Sequence, residues 1–146
     1  VLFDGTAESL TIAGNSSALP GAGVRQTGGT LLNTVVFGNT KREIVDNGDE
    51  TTSTNVVSAL VTGATAETAL TACATDQTIT SAAFKDFENG NLLPAYGGAL
   101  HNTGVNIEGW GNSGMTDFSG NRRVVGNHVD IGCYEAQSLG LILTIR

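Results

Sequence analysis

Three short apolar runs end in glycine at nearly equal intervals. They are LTIAGN (Leu10–Asn15), VVFGN (Val35–Asn39) and ALVTGA (Ala59–Ala64), and their glycines, Gly14, Gly38 and Gly63, lie 24 and 25 residues apart. A second landmark, GAGVRQTGGT (Gly21–Thr30), sets a short Val24-centred run between glycine turns. One period thus holds two or three short strands. Alternation in Leu10-Thr11-Ile12 supports strand rather than helix, because successive side chains of a strand point to opposite faces. Such a period suits a parallel β-solenoid, in which one coil cannot bury its inner face and stacked coils bury a continuous apolar column. Asn15 and Asn39 at the corners can bond the neighbouring coil and tolerate the left-handed conformation. An ordinary β-sandwich is the competing architecture.

Composition agrees with strands and turns. Gly occurs 20 times and Pro twice, and charged residues make up 14% of the chain, against about 25% in an average domain. No 3.6-residue apolar stripe runs for long; the Ala-rich GATAETALTACAT (Gly63–Thr75) is a helical excursion or a loop. At 146 residues one domain is expected. Residues 1–80 are expected to form the coils and residues 81–146 a last coil and an irregular end, in one continuous domain.

The net charge of −7, with only Lys41-Arg42 and Arg122-Arg123 as adjacent basic pairs, argues against nucleic acid or an anionic membrane surface as partner. No apolar stretch reaches the 18 or more residues of a membrane helix, so membrane insertion is not expected. The chain starts at Val1 without Met, which suggests processing or a piece of a longer protein. Cys73 and Cys133 can form one disulfide, favoured by export, or remain two buried thiols. They lack the CxxC spacing or neighbouring histidines of a zinc site.

The richest stretch is TDFSGNRRVVGNHVDIGCYE (Thr116–Glu135). Asp117, Ser119, Asn121 and Asp130 could form a calcium loop, but six to eight oxygen ligands are needed, and an Asx turn fits these residues better. Arg122, Arg123, Asp130 and Glu135 could be an acid–base set. A salt-bridged closure pairing Arg123 with Asp130 or Glu135 fits better, because an Arg fork suits a carboxylate. His101 and His128 have no Ser or Cys partner in a nucleophile turn, and GNSGM around Ser113 is not the G-x-S-x-G elbow. The acidic groups Asp46-Asn47-Gly48-Asp49-Glu50 and Asp86-Phe87-Glu88 read as charged loop tips, with paired carboxylates for sugar hydrolysis as the alternative. Trp110 and Tyr96 can stack on a sugar or cover the end of a core.

The run FKD…NGNLLP…GGALHNTG…TDFSGNRRVVGNHVDIGCYE resembles the carboxy-terminal signature of bacterial exported right-handed parallel β-helix proteins, which often carry a choice-of-anchor type ending. Asp117, Gly120, Asn121, Arg123, Val129, Asp130, Ile131, Gly132, Tyr134 and Glu135 fall in register with it. GALHNTG (Gly98–Gly104) departs by placing His101-Asn102 where the pattern has Asp, and Arg122 stands where it has Pro. The resemblance implies an all-β, right-handed parallel β-helix with an irregular carboxy-terminal cap. It implies export to the extracellular space or cell surface, and no single activity. The cap would be built from Asp117, Gly120, Asn121, Arg123, Asp130, Ile131, Gly132, Tyr134 and Glu135, with Val129–Tyr134 as closing strand.

These residues lead to a non-enzymatic structural or adhesive segment. It would use no cofactor or metal, and its partners would be other copies of itself, end to end in a filament or rod, or surface glycans. The apolar VLF at the start and LGLILTIR (Leu139–Arg146) at the end are candidate contacts. Part of a polysaccharide lyase or glycoside hydrolase, or a carbohydrate-binding module, is the alternative; aromatics at 5% offer little for the last.

Overall fold

A computed structural model describes residues 2–3, 6–18, 23–26, 30–40, 44–46, 56–62, 79–107, 109–110 and 114–137. Among these residues nine short strands run in chain order: β1 (Leu2–Phe3), β2 (Thr6–Glu8), β3 (Thr11–Ala13), β4 (Val24–Gln26), β5 (Thr30–Phe37), β6 (Ile44–Asp46), β7 (Val56–Thr62), β8 (Phe84–Asp86) and β9 (Asn91–Pro94). The first two glycine-terminated runs pair in parallel at the predicted interval: Thr6 lies opposite Thr30 and Thr11 opposite Val35. β1, β4 and β6 form a second parallel sheet.

Asn15 and Asn39 form the corner contact expected of stacked Asn. Asn15 Nδ2 and its main-chain N both donate to Asn39 Oδ1 (2.8 and 2.9 Å), and Asn39 Nδ2 donates to the Ile12 carbonyl (3.0 Å). Gly38 between them has φ +68°, and a Cβ there would stand 2.7 Å from Phe87 Cζ. Only glycine meets both demands.

Among the described residues the expected right-handed parallel β-helix does not form. β7 lies antiparallel along β5, from Thr30 opposite Thr62 to Val36 opposite Val56. β8 and β9 make a separate two-stranded antiparallel sheet. The described residues therefore hold only small sheets, with no closed solenoid. The third glycine-terminated run overlaps the second half of β7, whose direction is reversed, so no third parallel layer pairs with β5 among the described residues. Glycine spacing reports the length of a strand plus its turn and is blind to strand direction.

β5 is the shared strand of its four-stranded sheet. β2 and β3 pair with its successive halves and β7 with its length. Leu31 through Phe37 are all buried, so both faces are covered as well. The apolar cluster unites Val35 and Phe37 with Ile79, Ala83, Phe84, Leu100 and Ile131. Phe37, Phe84 and Phe87 pack as a trio with ring centroids 4.9–5.5 Å apart, a favourable tilted and edge-to-face range. Residues 114–137 contain only an isolated bridge, Thr116 to Arg122. The expected closing strand over Val129–Tyr134 is thus absent, for a reason that lies in the side chains described next.

Ile131 is 2% exposed within this cluster. Replacing it with Asp buries an unpaired carboxylate and is expected to destabilise the fold by about 3–5 kcal/mol in chemical denaturation. Unfolding indistinguishable from wild type would contradict the placement of Ile131 in the core.

Candidate functional site

The irregular 114–137 segment is joined to the strands through Asn33. This residue sits in the apolar run of β5 with φ +48° and no exposure. Its side chain pairs with the backbone of Val105 in both directions: Asn33 Nδ2 donates to the Val105 carbonyl, and Val105 N donates to Asn33 Oδ1, each at 2.8 Å. The Asn33 carbonyl accepts from Gly132 N (2.8 Å). Beside it, Cys133 N donates to Thr11 Oγ1 (3.0 Å). Gly132 has φ +110°, and a Cβ there would lie 2.6 Å from Thr11 Oγ1. The seam is too close for any side chain.

Four charged residues are buried behind this seam: Asp117 (6% exposed), Arg123 (4%), Asp130 and Glu135 (both 0%). Arg123 Nη1 donates to Glu135 Oε2 (3.2 Å) and the Tyr134 carbonyl (3.3 Å). Its Nη2 donates to Ser9 Oγ (2.9 Å) and to the carbonyls of Asp130 (3.1 Å) and Gly132 (2.8 Å). The three carboxylates accept backbone N–H groups. Asp117 takes those of Ser119, Asn121 and Glu135; Asp130 takes those of Asn102 and Ala136; Glu135 takes those of Val125 and Asp130. These N–H groups would otherwise enter a sheet ladder. Burial requires that they be satisfied, and side-chain oxygens do it, which is why the segment packs without strands.

Burial pushes the Glu135 carboxyl up to about 7; the nearby Asp130 charge adds to this, and N–H donors and Arg123 oppose it. Burial also raises Asp130 against the N–H groups of Ala136 and Asn102, and lowers Arg123 against the surrounding negative charges.

The residues named from the sequence occupy distinct positions here. Asp117, Arg123, Asp130 and Glu135 come together. Asp117 makes the Asx turn, its Oδ1 accepting from Ser119 N (2.9 Å); Gly120 N donates to the Asp117 carbonyl, and Asp117 N to that of Asn121. Its carboxylate oxygens face N–H donors, the reverse of what a cation needs. Ile131 points to the apolar cluster, and the half-buried Tyr134 ring meets Phe118 edge-on at 5.8 Å. Arg122, Glu88 and His128 are exposed. His101 Nδ1 accepts from Gly97 N (3.1 Å), and its Nε2 faces the oxygen of the Asn102 amide (3.0 Å), whose nitrogen donates to the carbonyls of Val125 and His128. Asp86 caps the short 3-10 turn Phe87–Asn89. Cys133 is a half-buried free thiol; Cys73 and residues 47–50 of the acidic loop lie outside the described residues.

Sequence reasoning missed Ser9, Thr11, Asn33, Asn102 and Asn106. Asn33 carried a signal: a polar residue inside TLLNTVVF has to be satisfied if the strand is buried. Asn106 had none; it holds the segment by accepting from Val129 N and donating to the Asn127 carbonyl. Trp110 lies over Arg123, with the guanidinium carbon 5.4 Å from the ring centroid. Comparison with known proteins found no matching family model, curated protein or solved structure. Among the described residues no helix is long and apolar enough to cross a membrane.

The adjacent arginines give a sharp contrast. Arg123→Ala leaves buried carboxylates without their cation and is expected to cost about 3–5 kcal/mol. Arg122→Ala on the surface should stay within about 0.5 kcal/mol. Equal effects in urea titration would contradict the buried cluster. Gly132→Ala is likewise expected to lower Tm, because the added Cβ meets Thr11; an unchanged Tm would show that the seam can open at no cost.

Proposed function

We propose that this chain is a non-enzymatic structural or adhesive unit that acts outside the cell, assembling with copies of itself or meeting surface glycans. The observation that carries this reading is the use of the buried cluster: Arg123, Asp117, Asp130 and Glu135 spend their polar atoms on their own chain. A hydrolase or lyase needs carboxylates that converge on a substrate, whereas Asp130 and Glu135 have no exposure. The low charge and the Gly-rich composition support export, as does the resemblance of Asp117–Glu135 to the ending of exported proteins.

Surface contact would fall to aromatic side chains held on fixed loops. Tyr96 is 70% exposed and stacks on His101, and Phe118 is 80% exposed on the Asp117 turn. Such rings favour a second reading, a glycan-binding module without chemistry. Incubation with neutral and acidic polysaccharides should release neither reducing ends nor unsaturated products; turnover of either kind would overturn the non-enzymatic reading. Tyr96→Ala combined with Phe118→Ala should weaken retention on a glycan-coated surface with stability unchanged within about 0.5 kcal/mol. Undiminished retention would rule out these rings as the contact.

A further inference from the structure

We propose that residues 114–137 are a proton-loaded latch, which grips the β2–β3 turn, β3 and β5 when the Asp130–Glu135 pair holds a proton and loosens from them when that proton is lost. The inference goes beyond the proposed function and rests on the reading that the cluster is structural. Its basis is charge balance in a closed space. Three carboxylates and one guanidinium are buried together, none more than 6% exposed. Among the described residues, with every acid ionised, two negative charges would stand without a cation. Uncompensated charge is costly to bury, and an acid in that position takes up a proton instead.

The surroundings concentrate this on Asp130 and Glu135. Arg123 ion-pairs with Glu135 and its other bonds go to neutral oxygens, so Asp130, with two N–H donors against three on Asp117, is the acid left least compensated, beside Glu135. The Asp130 charge raises the neighbouring Glu135 carboxyl, while Asp130 N, which donates to Glu135 Oε2 (3.0 Å), opposes that rise. The other ionisable groups near the pair are Asp117, Cys133 and Tyr134 on the same segment. His101 faces Asp130 from the 95–107 loop, with Asn102 between them. From the β2–β3 side the contact is the neutral Ser9 hydroxyl.

The sign follows from linkage. Both carboxyls are raised by burial, Glu135 to about 7. Between the ordinary carboxyl range and about 7 the closed latch therefore binds more protons than the open one. Closure is strongest at the acidic side of that window, weakens as pH rises through it, and levels off above it. Opening breaks the hydrogen bonds Arg123 to Ser9, Cys133 to Thr11 and Gly132 to Asn33, and lifts Ile131 from Val35 and Phe37.

Hydrogen exchange of the wild-type protein at about pH 5 and pH 7.5, corrected for intrinsic rates, tests this. The reporters are the amides of Asn102, Val125, Asp130 and Ala136, all bonded to the two carboxylates; the control is Val35, bonded to the Leu10 carbonyl. The latch predicts that protection of the four reporters falls roughly tenfold or more over this interval, with Val35 unchanged. Fluorescence of Trp110, the chain's one tryptophan, should shift over the same interval. Reporter protection that is flat or rises with pH would overturn the proposal. A fall shared equally by Val35 would also overturn it, because the segment would then open only with the whole fold. The wild-type comparison decides alone. Folded Glu135→Gln, which lacks the titrating group, should flatten the reporter response, and an undiminished response would count against Glu135 as the seat of the proton.

Discussion

The Arg123 guanidinium, buried with its residue only 4% exposed, makes five hydrogen bonds, and they tie three parts of the chain to one another. Its partners are the Glu135 carboxylate, the Ser9 hydroxyl at the turn between β2 and β3, and the carbonyls of Asp130, Gly132 and Tyr134. An irregular segment of some two dozen residues cannot satisfy its backbone by ladder pairing. It is held because three carboxylates accept its N–H groups and one guanidinium satisfies its carbonyls. A buried ion pair is weak evidence of net stability. Here its value lies in fixing a single arrangement, since any displaced segment would leave several buried polar groups unpaired at about 1–3 kcal/mol each.

That polar closure depends in turn on β5. Asn33 interrupts the strand with a left-handed residue and turns its carbonyl and amide toward the 104–105 and 132 positions. The strand residues after it, Val35 and Phe37, supply the apolar surface on which Ile131 and Leu100 pack. Polar seam and apolar cluster therefore share one strand. Asp130 and Ile131 are neighbours in sequence, yet one serves the carboxylate network and the other the hydrophobic cluster. Removing either contact frees the other from its register.

The sequence made part of this legible. The 24-residue interval gave the parallel register of β2 and β3 on β5, and the corner Asn15 and Asn39 bond as stacked Asn should. The glycine-ended run Ala59–Ala64 misled, because periodicity has no sign and β7 runs antiparallel. In the tail, Asp117, Arg123, Asp130 and Glu135 stood out as charges close together in sequence, and Arg123–Glu135 is the pairing that forms. The closing strand that the resemblance implied at Val129–Tyr134 does not form, because the N–H groups of Val129, Asp130 and Cys133 go to side-chain oxygens. Asn106 and Ser9 act through single hydrogen bonds at long separation in sequence, which no local pattern encodes.

The most direct test of this polar closure is the behaviour of the arginine side-chain protons in a nitrogen-15 NMR spectrum of the wild-type chain. A guanidinium held by five acceptors away from water cannot rotate freely, so Arg123 should give resolved, slowly exchanging Nη–H signals with contacts to Glu135, Ser9 and Trp110. The exposed Arg122 should give an averaged, rapidly exchanging signal. Averaged signals from both arginines would mean that the guanidinium is solvated, and that residues 114–137 are not closed around it.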